Sequence, residues 1–147
     1  MDLKKILAIS GYPELYKFIN TTKNGVLVEA ISSKKRMIAF SHYRISTLED
    51  ISVFTETGEI PLKDVFRKIL KKTEGKEIDI KMSDKQAIEK FIESVLPEYD
   101  RDRVKFSDMK KIIKWYNLLL KHGYIKLEEE NDEQTEDNKE KETENKE

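Results

Sequence analysis

The apolar positions of this chain follow two different periods, and the change between them falls at Pro61. Beyond it, Leu62, Val65, Phe66, Ile69 and Leu70 recur at helical spacing, with Lys63, Arg67, Lys68, Lys71 and Lys72 on the opposite side. This predicts an amphipathic helix with Pro61 in its first turn. Residues 73–82 are polar, contain Gly75 and read as a linker. Ser83 and Gln86 form a capping-box pattern for a second helix that buries Ala87, Ile88, Phe91, Ile92 and Val95 and stops at Pro97. Ser107 predicts the N-cap of a third helix, with Asp108 at the positive end of its dipole, running to about His122 before Gly123. There Met109, Ile112, Ile113, Trp115, Tyr116, Leu118, Leu119 and Leu120 leave a narrow polar stripe of Lys110, Lys114, Asn117 and Lys121. A helix apolar around most of its circumference is central to a core or forms half of an interface. Residues 124–127 read as a last short strand.

Before Pro61 the apolar runs are short and strand-like. Leu3, Ile6 and Leu7 predict an opening helix or turn ahead of the breaker Gly11-Tyr12-Pro13. Strands are expected over 14–21, 26–31, 36–40 and 51–55. Asn24-Gly25 signals a type I′ hairpin turn, whose two central positions need positive φ. Ser32-Ser33-Lys34-Lys35 reads as a second turn, and residues 41–50 have no clear assignment. The strands do not alternate cleanly: Val26, Val28 and Ala30 oppose Leu27 and Ile31, and Tyr16 and Phe18 oppose Leu15 and Ile19. A sheet wet on one side would read apolar-in and polar-out, so both faces are expected to be covered. The predicted fold is α+β: a small SH3-like β-barrel or twisted antiparallel meander from residues 1–60, packed with three helices in 61–127 around a shared core.

Charge divides the chain again. Residues 128–147 carry 11 acids and 3 lysines with no large apolar residue, which predicts a disordered acidic tail. The preceding 127 residues carry 25 bases and 18 acids, and residues 101–126 alone hold 8 bases and 2 acids. The absence of cysteine excludes disulfides and thiolate chemistry and fits a reducing compartment. The apolar run after Lys4-Lys5 is shorter than the ~7–15 residues of a signal-peptide core, and no run approaches the ~18 apolar residues of a membrane span. A cytoplasmic protein without membrane attachment is expected.

Several runs resemble a small bacterial family of uncharacterised proteins, a domain of unknown function. They are Ile9-Ser10-Gly11, Thr22-Lys23-Asn24-Gly25, Leu48-Glu49-Asp50-Ile51-Ser52, Leu96–Val104 and Ser107–Asn117. The similarity covers roughly residues 2–121. It implies a β-rich N-terminal unit followed by a helical unit, and it implies no activity, cofactor or catalytic residue.

The candidate chemistry is sparse. The chain lacks a phosphate-cradling glycine loop, a G-x-S-x-G elbow and an H-E-x-x-H motif. His122 suits a helix C-terminus, where a cation complements the dipole. His42 lies near Ser41, Ser46 and Asp50, a set that any polar loop can supply and that only geometry could make a triad. Glu98, Asp100 and Asp102 alternate with Arg101 and Arg103 and lack the glycine and closing glutamate of a calcium loop. No catalytic residue, metal ligand or cofactor is therefore assigned.

Two surfaces remain. Arg101, Arg103, Lys105, Lys110, Lys111 and Lys114 form a candidate polyanion-binding segment, or simply a solvated basic face. Trp115 and Tyr116 belong either to the core or to a partner interface, where aromatics concentrate binding energy. The expected function is a non-catalytic binding or adaptor module that meets an unidentified protein partner or a second copy of itself. The alternative is a nucleic-acid-associated protein whose acidic tail limits non-specific contact.

Overall fold

The computed structural model describes residues 1–127; the expectation of a disordered tail over 128–147 lies outside the described residues. The chain runs β1 (Ile6–Ile9), β2 (Leu15–Thr22), β3 (Gly25–Ala30), β4 (Arg36–Phe40), β5 (Ile45–Thr47), a 3-10 turn (Leu48–Asp50), β6 (Ser52–Thr55), β7 (Gly58–Pro61), α1 (Leu62–Thr73), α2 (Lys85–Val95) and α3 (Phe106–Lys121). This is an α+β protein, with one five-stranded antiparallel sheet in the order β4-β3-β2-β1-β5 and a separate β6-β7 hairpin. β1 to β4 form a meander, and β5 returns to pair with β1.

That return bends the sheet. Phe40 pairs across to Gly25, at the Thr22 end of β2, whereas Ile45 pairs with Ile9, beyond the other end. Phe40 and Ile45 therefore occupy opposite corners, five residues apart. In a flat sheet four inter-strand spacings alone span ~19 Å, more than five residues can reach at ~3.5 Å each. The chain also turns within this link, with the Tyr43 amide donating to the Phe40 carbonyl. The sheet must curl, and an irregularity in β2 between Phe18 and Asn20 supplies a bend. β4 and β5 are not paired with each other, so the curled sheet is not a closed barrel.

The curl accounts for the missing alternation in the strands. One face carries Leu7, Ile9, Tyr16, Val28, Ala30 and Ala39, packed with Phe18, Val26, Met37, Tyr43 and Ile45. All belong to the sheet or its loops, yet Val28 and Ala39 are 0% exposed, so the sheet buries this face by folding over itself. The other face sends Leu3, Ile6, Leu15, Ile31 and Leu48 into one cluster with the helices. Beyond the helices this face becomes polar. Lys17, Glu29 and Arg36 pair across β2, β3 and β4, and the Arg36 side chain first, then Lys17, holds the Glu29 carboxyl below its ordinary range.

The helices follow the expected stripe: Leu62, Val65, Phe66, Ile69 and Leu70 of α1 are all buried. Three local expectations shift. The α2 cap is Asp84, whose carboxylate accepts the Ala87 amide, rather than Ser83. α3 begins at Phe106, with Asp108 accepting the Lys105 amide at 2.9 Å, so Ser107 lies inside its first turn. Residues 124–127 form no strand, and Ile125 is buried by packing alone.

The segment read as a linker is held instead. The Asn117 side chain grips Ile78 as a strand neighbour would, accepting its amide at 2.8 Å and donating to its carbonyl at 2.9 Å. Asn117 is thus committed to the fold rather than presented on a polar stripe. Replacing it with alanine leaves a largely buried amide and carbonyl unpaired, at a cost of about 2–3 kcal/mol. Amide exchange should show the Ile78 amide losing protection ahead of α3; unchanged protection would mean the grip is incidental.

Candidate functional site: the seam between sheet and helices

A cleft with cations, hydroxyls and an indole in its lining lies where β1 and β5 meet α3. Ala8, Ser10, Arg44 and Ser46 follow strand alternation on one face of these paired strands and contribute to the lining of this cleft of about 560 Å³. Lys111 and Trp115 of α3 line it from the helical side, with Ile9, Gly11-Tyr12-Pro13 and Ile51 completing it. A second cleft of about 240 Å³ shares Ile51, Lys111 and Trp115 with the first and continues over Val53, Leu62, Val104 and Ile112. The first cleft is cationic, with hydroxyls set in a lining whose larger part is apolar. The second is mainly apolar, with Asp108 in its lining.

Local chemistry explains why these groups face the seam. Ser107, Lys111 and Lys114 recur at helical spacing on the exposed side of α3, while Ile112, Ile113, Tyr116 and Leu119 turn into the core. Trp115 stands between the two sets, half-buried. The Ser10 amide donates to the Arg44 carbonyl at 2.9 Å, pinning the end of β1 to the start of β5. The Arg44 and Lys111 side chains have no ion-pair partner among the described residues.

This separates the six basic candidates. Arg101 donates to the carbonyls of Pro97 and Tyr99, pairs with Glu93 at 3.1 Å and lies over the Tyr99 ring. Arg103 pairs with Asp100 at 3.8 Å and covers the Phe54 ring. The Lys105 ammonium donates to the Asp102 carbonyl, and Lys110 sits 5.0 Å from the Phe106 ring centroid. Lys111 and Lys114 are exposed and have no partner among the described residues, and of these Lys111 lines both clefts. Of the acids in the 98–102 run, Asp100 is structural too: its carboxylate accepts the amides of Asp102 and Arg103.

The aromatic pair separates as well. Trp115 reaches the seam, but Tyr116 is 0% exposed, and its hydroxyl donates to the Lys76 carbonyl at 2.8 Å and lies 2.9 Å from the Thr73 hydroxyl. Tyr116 therefore belongs to the core and is withdrawn from the interface, because successive residues of a helix point about 100° apart. Burial, partly offset by the Thr73 hydroxyl, pushes its phenol above the ordinary 10.0.

Arg44 is the seam residue that sequence reading missed. It lies in the unassigned 41–50 stretch, whose side chains carry no periodic signal. Nearby, Tyr12, Tyr16, Phe40, His42 and Tyr43 pack their rings together at the edge of the curled sheet. The Asp50 carboxylate accepts the Thr47 hydroxyl.

Among the described residues no helix is long and apolar enough to cross a membrane. Comparison with known proteins matches residues 3–48 to the domain of unknown function DUF5606 and residues 51–119 to the domain of unknown function DUF6852. The two matches meet at the 3-10 turn, so the β6-β7 hairpin falls with the helices. That grouping agrees with its contacts, because the Asp100 amide donates to the Phe54 carbonyl and the Glu56 amide to the Glu98 carbonyl. No curated protein matches the chain. A solution NMR structure of a protein from Bacteroides vulgatus superposes with a TM-score of 0.69 at 39% identity, over 86% of this chain and 91% of that one. The chain therefore belongs to the family of that Bacteroides protein, and in this chain a β-rich unit and a unit carrying the helices, each matching a domain of unknown function, are joined in series.

Proposed function

We propose that this protein is a non-catalytic, cytoplasmic binding or adaptor module whose working surface is the seam between β1, β5 and α3. The observation that carries this reading is the pair of adjoining clefts that share Lys111 and Trp115, one containing two uncommitted cations and the other mainly apolar. Arg44 and the half-buried Trp115 indole are residue types in which interfaces concentrate their binding energy. The strand order and the short link from β4 to β5 support a finer description of the sheet as an SH3-like barrel left open between those strands.

The test is capture from the native cytoplasm at low salt, comparing the natural chain with the Arg44→Glu and Lys111→Glu variants. Both residues are exposed, so their melting should stay within about 0.5 kcal/mol of the parent. A protein retained by the parent and lost by both variants is the expected result. Retention by both variants would remove the seam from the function. The nucleic-acid alternative draws on Lys111 and Lys114, exposed one turn apart on α3, with the net −8 segment 128–147 as a competitor for the same cations. It predicts captured material that disappears on nuclease treatment.

A further inference from the structure

We infer that the occupant of the seam is a peptide segment of a partner protein carrying a carboxylate side chain close in sequence to a large apolar one. This rests on the seam being the working surface and adds the chemistry of what fills it. Arg44 and Lys111 face the first cleft with Ser10 and Ser46 beside them and no acidic residue in its lining, so it favours a carboxylate. The adjoining cleft is lined by Ile51, Val53, Leu62, Val104, Ile112 and Trp115, which suits a large apolar side chain. Asp108 in that lining repels a second anion. Because the clefts share Ile51, Lys111 and Trp115, one short segment can fill both.

Two competitors fit less well. A nucleic-acid strand presents a phosphate at every nucleotide, whereas the seam offers two cations and then an apolar cleft with a carboxylate. The segment 128–147 is acidic but has no large apolar residue, so it can satisfy only the first cleft.

The test uses Trp115, the single tryptophan of the chain, as the reporter. The full chain is titrated at low salt with blocked octapeptides holding one Glu and one Leu at spacings from one to four in a Ser/Gly background. At least one spacing should shift the emission saturably below ~1 mM. The Gln-for-Glu and Ala-for-Leu counterparts should each bind about tenfold more weakly, as should Arg44→Ala and Lys111→Ala proteins toward the parent peptide. The inference is overturned if no spacing moves the emission, if the counterpart peptides bind equally, or if a single-stranded oligonucleotide binds more tightly. If the peptides fail while the seam variants still lose a captured protein, the assigned chemistry is wrong and the seam stands. If those variants lose nothing, the seam reading itself has failed.

Discussion

Tyr116→Ala should lower stability by about 3–5 kcal/mol, since it empties a fully buried aromatic site, which corresponds to a fall in melting temperature of roughly 10–20 °C for a body of this size. The ring packs near Phe66 of α1, with centroids 6.3 Å apart, while its hydroxyl fastens the Lys76 carbonyl just after that helix. One side chain thus ties α3 both to the core and to the connection that follows α1. Tyr116→Phe keeps the ring and isolates the polar part: the Lys76 carbonyl and Thr73 hydroxyl lose a partner, at about 1–3 kcal/mol.

The same residue sets a pH dependence. Burial raises the Tyr116 phenol above 10.0, so the folded state holds this proton more tightly than the unfolded chain. Its stabilisation is complete below pH 10 and is lost as pH rises through the folded value. Tyr16 is shifted in the same direction by burial and by nearby Glu14. Tyr116→Phe should therefore flatten the alkaline loss of stability without abolishing it. Melting curves at pH 8 and above pH 10 check this, and an unchanged alkaline slope would mean that the phenol titrates as it does in the unfolded chain.

The helices were legible because one amphipathic stripe records one buried direction. The five apolar positions of α1 were all recovered, and Gly123, with φ of +80°, ends α3 as expected. The sheet was legible in existence but not in extent. Leu3, Ile6 and Leu7 pointed to an opening helix or turn, but Ile6–Ile9 is the strand β1: its run is apolar throughout, and only pairing to β2 and β5 decides it. β5 and β7 are 3 and 4 residues long, too short to show a period. The seam was half legible. Lys111 and Trp115 stand out within a strongly patterned helix, but Arg44 gains its meaning from a strand pairing that brings residues 8–10 beside 44–46. The Arg103–Asp100 pair follows from the alternating charges of that run, whereas the reach of Arg101 to Glu93 and the stacking of the two guanidinium groups on Tyr99 and Phe54 were invisible in a charge count.

Gly25→Ala should cost about 3 kcal/mol, at the upper end of what a single added methyl does in a packed site. The expected hairpin exists, but its turn is centred on Lys23-Asn24, because Thr22 and Gly25 are already paired across it. Neither Lys23 nor Asn24 has a positive φ, so the turn is not type I′, and Gly25 is not needed for backbone freedom. It is needed for room. A Cβ built on Gly25 would lie 2.1 Å from the Ala39 carbonyl oxygen and 2.9 Å from the Phe40 Cα, both backbone atoms of β4. Relieving that overlap requires β4 to move away from β3 at the end of their pairing, next to the link that carries the chain across to β5. The disturbance should reach the face holding Val28 and Ala39, and with it the placement of Arg44 at the seam. Denaturant unfolding should show the stability loss, and amide exchange should show β3 and β4 opening before the helices. A stability loss below about 1 kcal/mol, with β4 exchange unchanged, would mean that the two strands can separate freely and that the curl is not set by their close approach.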